Sequence, residues 1–358
     1  MVFERLADAR DDWHQDRYSY GLYGTPTTRE LAARVAELEH AQGCFLTPGG
    51  QATILLVYLC LCQAGSHVLL PESAYGPNRE LAEGLLAGLG IEVEPYDPLI
   101  GADIAKSIRP NTHLIWCESP GSITMEVQDV PAITAAAHAQ GVPVALDNTY
   151  AAGVYFDAFA HNVDISIQAL TKYIGGHSDL LLGSVSAGNA AMFERLGATH
   201  RVLGLAVSPD DCALALRGLE TLAVRLERLQ ATALKVAAWC KDRPEIARVL
   251  HPAFTDCAGH ACWARDFTGS TSLFSIVMRQ GFTEAQVERF VEALDLFKLG
   301  YSWGGTTSLV MAYPGLTRAQ TSFGGPVVRL NVGLEAPDDL IADLEQAMAV
   351  AAAAAASA

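Results

Sequence analysis

The sequence predicts an α/β protein, with a large, mainly parallel sheet first and a smaller α+β layer after it. Three observations carry that prediction. The chain has 358 residues and is 50% hydrophobic, which suffices for two substantial cores. Short apolar runs alternate with helix-length stretches through the first part of the chain, the pattern of a parallel sheet with helices on its faces. Beyond about residue 218 the strands follow one another without that regular alternation, and the boundary belongs there, with 24–218 on one side and 219–358 on the other.

In chain order, residues 1–19 are polar and aromatic without periodicity and read, with the next few residues, as an arm (1–23) that docks on something else, a neighbouring subunit being the candidate. Tyr20-Gly-Leu22-Tyr23-Gly-Thr-Pro-Thr27 is a Gly-punctuated loop, and Thr27-x-x-Glu30 has capping-box spacing ahead of a helix whose inner face is Leu31, Val35 and Leu38. Thr47-Pro-Gly49-Gly50-Gln51 precedes an apolar helix over Ala52–Cys62. The free N–H groups and positive dipole end of such a helix attract phosphate, although a Gly-Gly before a helix is usually just a turn.

Strands are predicted at His67–Leu70, leading into Ser73-Ala-Tyr75-Gly-Pro, and at Ile91–Val93 and His113–Cys117. A helix opens at Asp129, carries Pro131 in its first turn and closes at Gly141. The apolar runs Val142–Leu146 and Asp164–Leu170 read as buried strands, Leu180–Ser186 as a returning one, and Asp210–Cys240, Leu/Ala-rich and proline-free, as one connecting helix. The smaller layer follows, with strands Ser272–Val277, Ser308–Met311 and Val327–Leu330, a helix over Thr283–Leu294 and an Ala-rich terminal helix. No internal repeat is present.

Two of these runs end in reactive residues. In an open parallel sheet ligands collect beyond the carboxyl ends of strands, where Asp147 and Lys172 both fall. An amine held near apolar walls loses its proton more easily and condenses with an aldehyde. A carboxylate facing a protonated ring nitrogen keeps that ring cationic through a charge-assisted hydrogen bond. Together they describe how proteins hold pyridoxal phosphate (PLP). Taken alone, Asp147 as a turn cap and Lys172 as a solvated lysine is the better reading; their surroundings decide otherwise.

Asp147-Asn-Thr-Tyr-Ala-Ala-Gly and Asp164-Ile-Ser-Ile-Gln-Ala-Leu-Thr-Lys172-Tyr-Ile-Gly-Gly-His-Ser-Asp closely resemble the Cys/Met-metabolism family of PLP enzymes, and within it the cystathionine β-lyases, over nearly the whole chain. Glu118-Ser-Pro-Gly-Ser-Ile-Thr-Met-Glu-Val-Gln-Asp is close to the β-lyases in particular. The resemblance implies the aspartate-aminotransferase-like fold type I, with 24–218 holding PLP and 219–358 the substrate. It implies that Lys172 forms the imine with the cofactor, with Lys172 and Tyr75 the catalytic pair, Tyr75 stacking on the ring and Asp147 facing the ring nitrogen. Thr171, Gly50 and Gln51 would bind the phosphate, Ala169 standing where many members have Ser. Glu118 and Ser119 shape the pocket.

Arg329, in Pro326-Val-Val-Arg329-Leu-Asn-Val-Gly, matches the residue that clamps the substrate carboxylate, a task suited to a planar fork. Ser302 and Trp303, in Tyr301-Ser302-Trp303-Gly-Gly, match the β-lyase form of a substrate loop that reads Glu-Ser-Leu-Gly-Gly in γ-acting relatives. Two positions depart from the family. Tyr20 matches a Tyr-x-Arg segment that reaches the neighbour's cofactor phosphate, but Leu22 replaces the arginine: either phosphate binding is weaker, or another cation, Arg17 or Arg29, takes its place, or Leu22 simply packs in the interface. Thr307 stands where Glu is usual.

The implied reaction is cleavage of an L-cysteine thioether to a thiol, pyruvate and ammonia. γ-Elimination or γ-replacement, and a specialised PLP enzyme acting on another amino acid, remain open; retention of Lys172 and Asp147 argues against a non-enzymatic sensor. Typical members begin some tens of residues earlier, with an arm that helps assemble a tetramer, so a homodimer is the minimum expected and a tetramer is open.

Composition narrows the alternatives. A formal net charge of −16 argues against a nucleic-acid partner. The eight cysteines, several in apolar runs, read as small hydrophobes in a reducing compartment. Cys257-Ala-Gly-His260-Ala-Cys262 lacks the paired short spacings of a zinc site, and no metal is expected. The amino terminus has no apolar signal core, and the longest apolar run, Ile54–Cys62, falls far short of the ~20 residues that span a bilayer. No membrane partner is expected, and the cytoplasm is the expected location.

Overall fold

The computed structural model describes residues 2–9, 18, 20–318 and 322–353. Seven strands form the larger sheet: β1 (Gly43–Thr47), β2 (His67–Pro71), β3 (Glu92–Tyr96), β4 (Thr112–Glu118), β5 (Val144–Asp147), β6 (Ile165–Gln168) and β7 (Gly183–Ala187). Their order is β1-β7-β6-β5-β4-β2-β3, and only β7 runs against the others. The smaller sheet, ordered β10-β11-β12-β9-β8, comprises β8 (Ile246–Leu250), β9 (Leu273–Met278), β10 (Lys298–Leu299), β11 (Leu309–Tyr313) and β12 (Val327–Asn331). It is antiparallel apart from the short β10–β11 pair.

The α-helices are α1 (Pro26–Leu38), α2 (Gly50–Leu61), α3 (Gly76–Leu81), α4 (Val130–His138), α5 (Ala190–Leu203), α6 (Pro209–Leu219), α7 (Leu222–Lys241), α8 (His260–Asp266), α9 (Glu284–Glu292) and α10 (Pro337–Ala353). Strands β4, β5 and β6 are buried almost throughout because helices cover both faces of the sheet. On one face α2 and α5 pack Leu56, Val57 and Leu196 against Val68, Trp116 and Val185. On the other, α4 contributes Ile133 and Ala137 to a core with Ile115, Cys117 and Leu146. Each such side chain taken from water contributes on the order of 1.5–3 kcal/mol.

Several expectations need correction. The helix expected to follow a capping residue at Thr27 starts at Pro26. Its capping box joins Thr25 and Thr28 rather than Thr27 and Glu30, because Pro26 supplies a pre-formed first turn and leaves Thr25 as N-cap. Glu30 instead pairs with Arg34 one turn on. The apolar helix begins at Gly50, two residues early, and the strands at 91, 142, 164 and 180 each start one to three residues later than their apolar runs, which extend into adjoining loops. Strands β1 and β8 and helix α5 carry no strong periodic signal and were not expected.

The single helix expected over 210–240 is two, broken at Glu220–Thr221. Gly218 lies so close to the Ile174 carbonyl that a Cβ there would sit 2.1 Å from its oxygen. The Gly218 carbonyl, in turn, accepts hydrogen bonds from Thr221 N–H and from the Arg225 guanidinium, which ends α6. Helix α7 then spans both cores: Leu222, Leu226 and Leu229 pack with Leu170 and Tyr173, and Ala233, Val236 and Cys240 with the smaller sheet.

Candidate active site

The parallel strands β4 and β5 end side by side, with Glu118 and Asp147 in register, so two carboxyl groups stand together at the carboxyl edge of the sheet. Asp147 accepts the Thr149 N–H at 3.0 Å, and the Thr149 hydroxyl accepts the Ala169 N–H at 2.9 Å, tying the end of β5 to the turn after β6. In that turn the Lys172 N–H reaches the Ala169 carbonyl and the Gly176 N–H the Lys172 carbonyl. Buried Arg225 holds the turn from below, donating to the Tyr173 carbonyl at 2.7 Å and the Gly218 carbonyl at 2.8 Å. Gly176 (φ +71°) permits this approach, since a Cβ would lie 2.1 Å from the guanidinium.

The Lys172 amine points into the cleft between the two sheets. It donates to the Ser302 hydroxyl at 2.7 Å, and the Trp303 ring centroid is 5.3 Å away. Trp303 packs at a tilt on Tyr173. Gly304 (φ +81°) lets this loop lie against the backbone of the Lys172 turn, 3.1 Å from the position of its absent Cβ. Burial and the nearby Arg329 charge lower the Lys172 pKa to about 8, with Asp147 opposing them. The unprotonated fraction near neutral pH, a minority but far larger than for a solvated lysine, makes this amine a nucleophile and a base. Burial raises the Asp147 pKa, while the Thr149 donors and the Lys172 charge pull it back.

Lys172 and Asp147 line a cavity of about 380 Å³ together with Gly49, Gly50, Gln51, Tyr75, Glu118, Ser122, Thr171 and Trp303. At one end, Gly50 faces the Ala169 methyl, and a Cβ at Gly50 would be 2.9 Å from it. The cradle between residues 49–51 and 169–171 therefore exists only because both side chains are minimal. The first N–H groups of α2 have no acceptor within the helix and open onto it, which suits a phosphate. Thr171 lines the cradle, but its hydroxyl exchanges hydrogen bonds of 3.1 Å with both the N–H and the carbonyl of Leu182. Its hydroxyl proton is free for another acceptor only if the bond to the Leu182 carbonyl is given up. The donor set fits PLP: a basic amine for its aldehyde, a carboxyl for its ring nitrogen, an aromatic for its face and a helix amino end for its phosphate.

Toward the smaller sheet, Arg329 extends from β12 and is 5% exposed. Its guanidinium donates to the Tyr301 carbonyl at 2.6 Å and the Ser122 carbonyl at 3.2 Å, with the Tyr313 ring 5.6 Å away. These contacts fix the fork across the domain junction. Thr307, whose carbonyl accepts from Asn331, is exposed.

Of the expected site residues, Lys172, Asp147, Thr171, Gly50, Gln51, Tyr75 and Trp303 share one cavity, with Ser302 on the amine and Arg329 beside it. Tyr20 is not among them. Tyr20 is 62% exposed, and Gly21, Leu22 and Tyr23 line a different cavity of about 600 Å³ with Arg201 and Phe193. Arg29 donates to the Tyr23 carbonyl and lies over Tyr18, while Arg17 falls outside the described residues. Sequence reasoning missed Thr149, although Asp147-x-Thr149 has the spacing of an Asx turn, and gave Arg225 no part.

The Cys257, His260 and Cys262 trio does not converge: the Cys257 thiol donates to the Met125 carbonyl and the His260 ring meets the Pro252 carbonyl. Among the described residues, His67, Glu92 and Glu94 do converge, but the Arg109 guanidinium bridges the two carboxylates. No helix among the described residues is long and apolar enough to cross a membrane.

Comparison with known proteins agrees with this chemistry. The profile of the Cys/Met metabolism PLP-dependent enzymes matches residues 1–349. The cystathionine β-lyase of Salmonella typhimurium is 44% identical, over 91% of this chain and 84% of its own length. An L-alanine/L-glutamate racemase of Wolbachia pipientis is 35% identical, over 97% of this chain and 86% of its own. Among solved structures, a cystathionine γ-synthase of Xanthomonas oryzae pv. oryzae in complex with cystathionine superimposes with a TM-score of 0.90 at 29% identity, covering 99% of this chain and 91% of that one.

Proposed function

This chain belongs to the Cys/Met metabolism family of PLP-dependent enzymes, and on that premise we propose that it is a carbon–sulfur β-lyase cleaving an L-cysteine thioether of the cystathionine type to a thiol, pyruvate and ammonia. The observation that carries the reading is the Lys172 amine, hydrogen-bonded to Ser302 in the cavity that Asp147, Tyr75 and Trp303 share, with Arg329 alongside. The sequence Tyr301-Ser302-Trp303 at that point favours β- over γ-chemistry, and the 44% identity to a β-lyase exceeds that to the racemase.

PLP, when bound, supplies an electron sink for the pair left at the substrate Cα. The chain's own groups do the rest. Lys172 would hold the cofactor through its amine, and the same amine, when not so engaged, would take the Cα proton as general base. The same amine carries the proton to the departing thiolate sulfur; the three-carbon remainder hydrolyses to pyruvate and ammonia. Asp147 would keep a proton on the ring nitrogen, and Tyr75 would pack on the ring face. Gly50, Gln51 and Thr171 take the phosphate at the amino end of α2. Arg329 pairs with the substrate carboxylate through its planar fork, while Ser302 and Trp303 orient the rest of the amino acid. Positioning on this scale matters because a displacement of about 1 Å costs roughly 100-fold in rate.

On this reading residues 24–218 are the cofactor unit, 219–358 the substrate unit, and 1–23, of which residues 1, 10–17 and 19 lie outside the described residues, an arm that reaches with Tyr20 to the neighbouring protomer of at least a dimer. Eight unpaired cysteines support a cytoplasmic location.

The test is incubation of the PLP-loaded protein with L-cystathionine. Pyruvate appearing in step with a thiol supports the proposal. 2-Oxobutyrate would replace it with γ-cleavage, and loss of optical rotation of an amino acid without any keto acid would replace it with racemisation.

A further inference from the structure

We propose that Glu118 is a positioning residue that holds Tyr75 against the cofactor ring, and that it does so as a neutral acid beside the ionised Asp147. This rests on the role of Tyr75 proposed above. The geometry begins with strand register: Glu118 and Asp147 are paired neighbours at the ends of β4 and β5, both on the cavity wall. The Glu118 carboxyl reaches across the cavity edge and accepts the Tyr75 N–H at 2.7 Å. Tyr75 is the N-cap of α3 and 42% exposed; its carbonyl accepts the Asn78 and Arg79 N–H groups, and the Glu118 carboxyl holds its N–H on the other side of the residue. Glu118 is itself anchored, its N–H bonded at 2.8 Å to Gln128, whose amide donates to the buried Tyr96 hydroxyl.

A buried carboxylate, Glu118, beside a half-buried one, Asp147, cannot ionise cheaply while its neighbour is charged. Asp147 has the Thr149 donors and faces Lys172, whereas Glu118 has only the Tyr75 N–H as a direct donor. The other charges around Glu118 are Arg318, from the segment after β11, and Arg329, from β12. Arg318 is spent on Glu126, 3.0 Å away in a buried ion pair, and Arg329 on the Tyr301 and Ser122 carbonyls. Tyr58 of α2 lies behind. Burial, then the Asp147 charge, lifts the Glu118 pKa well above the carboxylate range. A neutral Glu118 keeps the tyrosine in place without adding a second negative charge that would weaken Asp147's hold on the ring nitrogen's proton.

Glutamine reproduces a neutral acid in shape and in its accepting oxygen; alanine and aspartate do not reach Tyr75. The expected result is that Glu118→Gln keeps the PLP dissociation constant and the visible circular dichroism of bound PLP, with kcat/KM within about threefold of the parent. Glu118→Ala should weaken that dichroism and raise the PLP dissociation constant roughly tenfold. If the alanine variant does not fold, Glu118→Asp, shorter by one methylene, is read in the same way. A glutamine variant as impaired as the alanine or aspartate one would overturn the neutral-acid assignment, and wild-type dichroism and affinity in Glu118→Ala or Glu118→Asp would overturn the positioning role. PLP affinity and dichroism need no substrate, so they stand or fall separately from the β-lyase reading.

Discussion

On the cofactor half of the cavity, Asp147 and Glu118 end adjacent strands in register and Lys172 sits in a turn clamped from below by Arg225. On the substrate half, Tyr301, Ser302 and Thr307 belong to the loop between β10 and β11, where Tyr301 is 73% exposed. The first half is fixed by main-chain pairing and buried polar contacts, which have few alternative arrangements. The second hangs on Arg329 and on Gly304 lying against the lysine turn. The contrast implies that reaction chemistry is set by the sheet and substrate choice by the loop.

Substitutions can break that division of labour, and the largest effect belongs to the sheet side. Lys172→Ala should lower turnover by ~10⁴-fold with every substrate, since it removes both the covalent attachment and the base; steady-state assays with several thioethers would show the loss to be uniform. Asp147→Asn should cost ~100-fold or more in kcat by withdrawing the charge that stabilises the protonated ring, again independently of the substrate side chain.

Arg329→Lys replaces a two-pronged contact with a point charge, and kcat/KM should fall roughly 10- to 100-fold, mainly through KM. If kcat alone fell, Arg329 would belong to the chemical half and the division would be misdrawn. The smallest effect is a pH dependence. Because burial lowers the Lys172 pKa to about 8, the reactive free amine is the minor form below that pH and the major form above it. PLP uptake by the cofactor-free protein, followed by stopped-flow absorbance, should accelerate about tenfold per unit as pH rises toward 8 and level off above it.

The sequence made the cofactor half readable for the same reason that it is rigid. Strand ends carry their residues at fixed positions, so the apolar runs ending near Asp147 and Lys172 already placed both beyond one sheet edge, and the long motif around Lys172 named the chemistry. What escaped depends on contacts between distant segments. Nothing near Arg225 announces that its guanidinium will cap the carbonyl of Tyr173, 52 residues away. The break between α6 and α7 goes with the Gly218 carbonyl being taken by the Thr221 N–H and the Arg225 guanidinium, which a proline-free, Leu/Ala-rich stretch gives no reason to expect. The capping box moved from Thr27 and Glu30 to Thr25 and Thr28 because two threonines within reach of Pro26 compete, and local spacing alone does not rank them.

The most direct measurement is to load the protein with PLP, reduce it with borohydride and locate the trapped cofactor by peptide mass spectrometry. The adduct should fall on Lys172 alone and be absent from Lys172→Arg. An adduct on Lys106, Lys235, Lys241 or Lys298 instead would contradict the assignment of the cavity between the two sheets as the catalytic site.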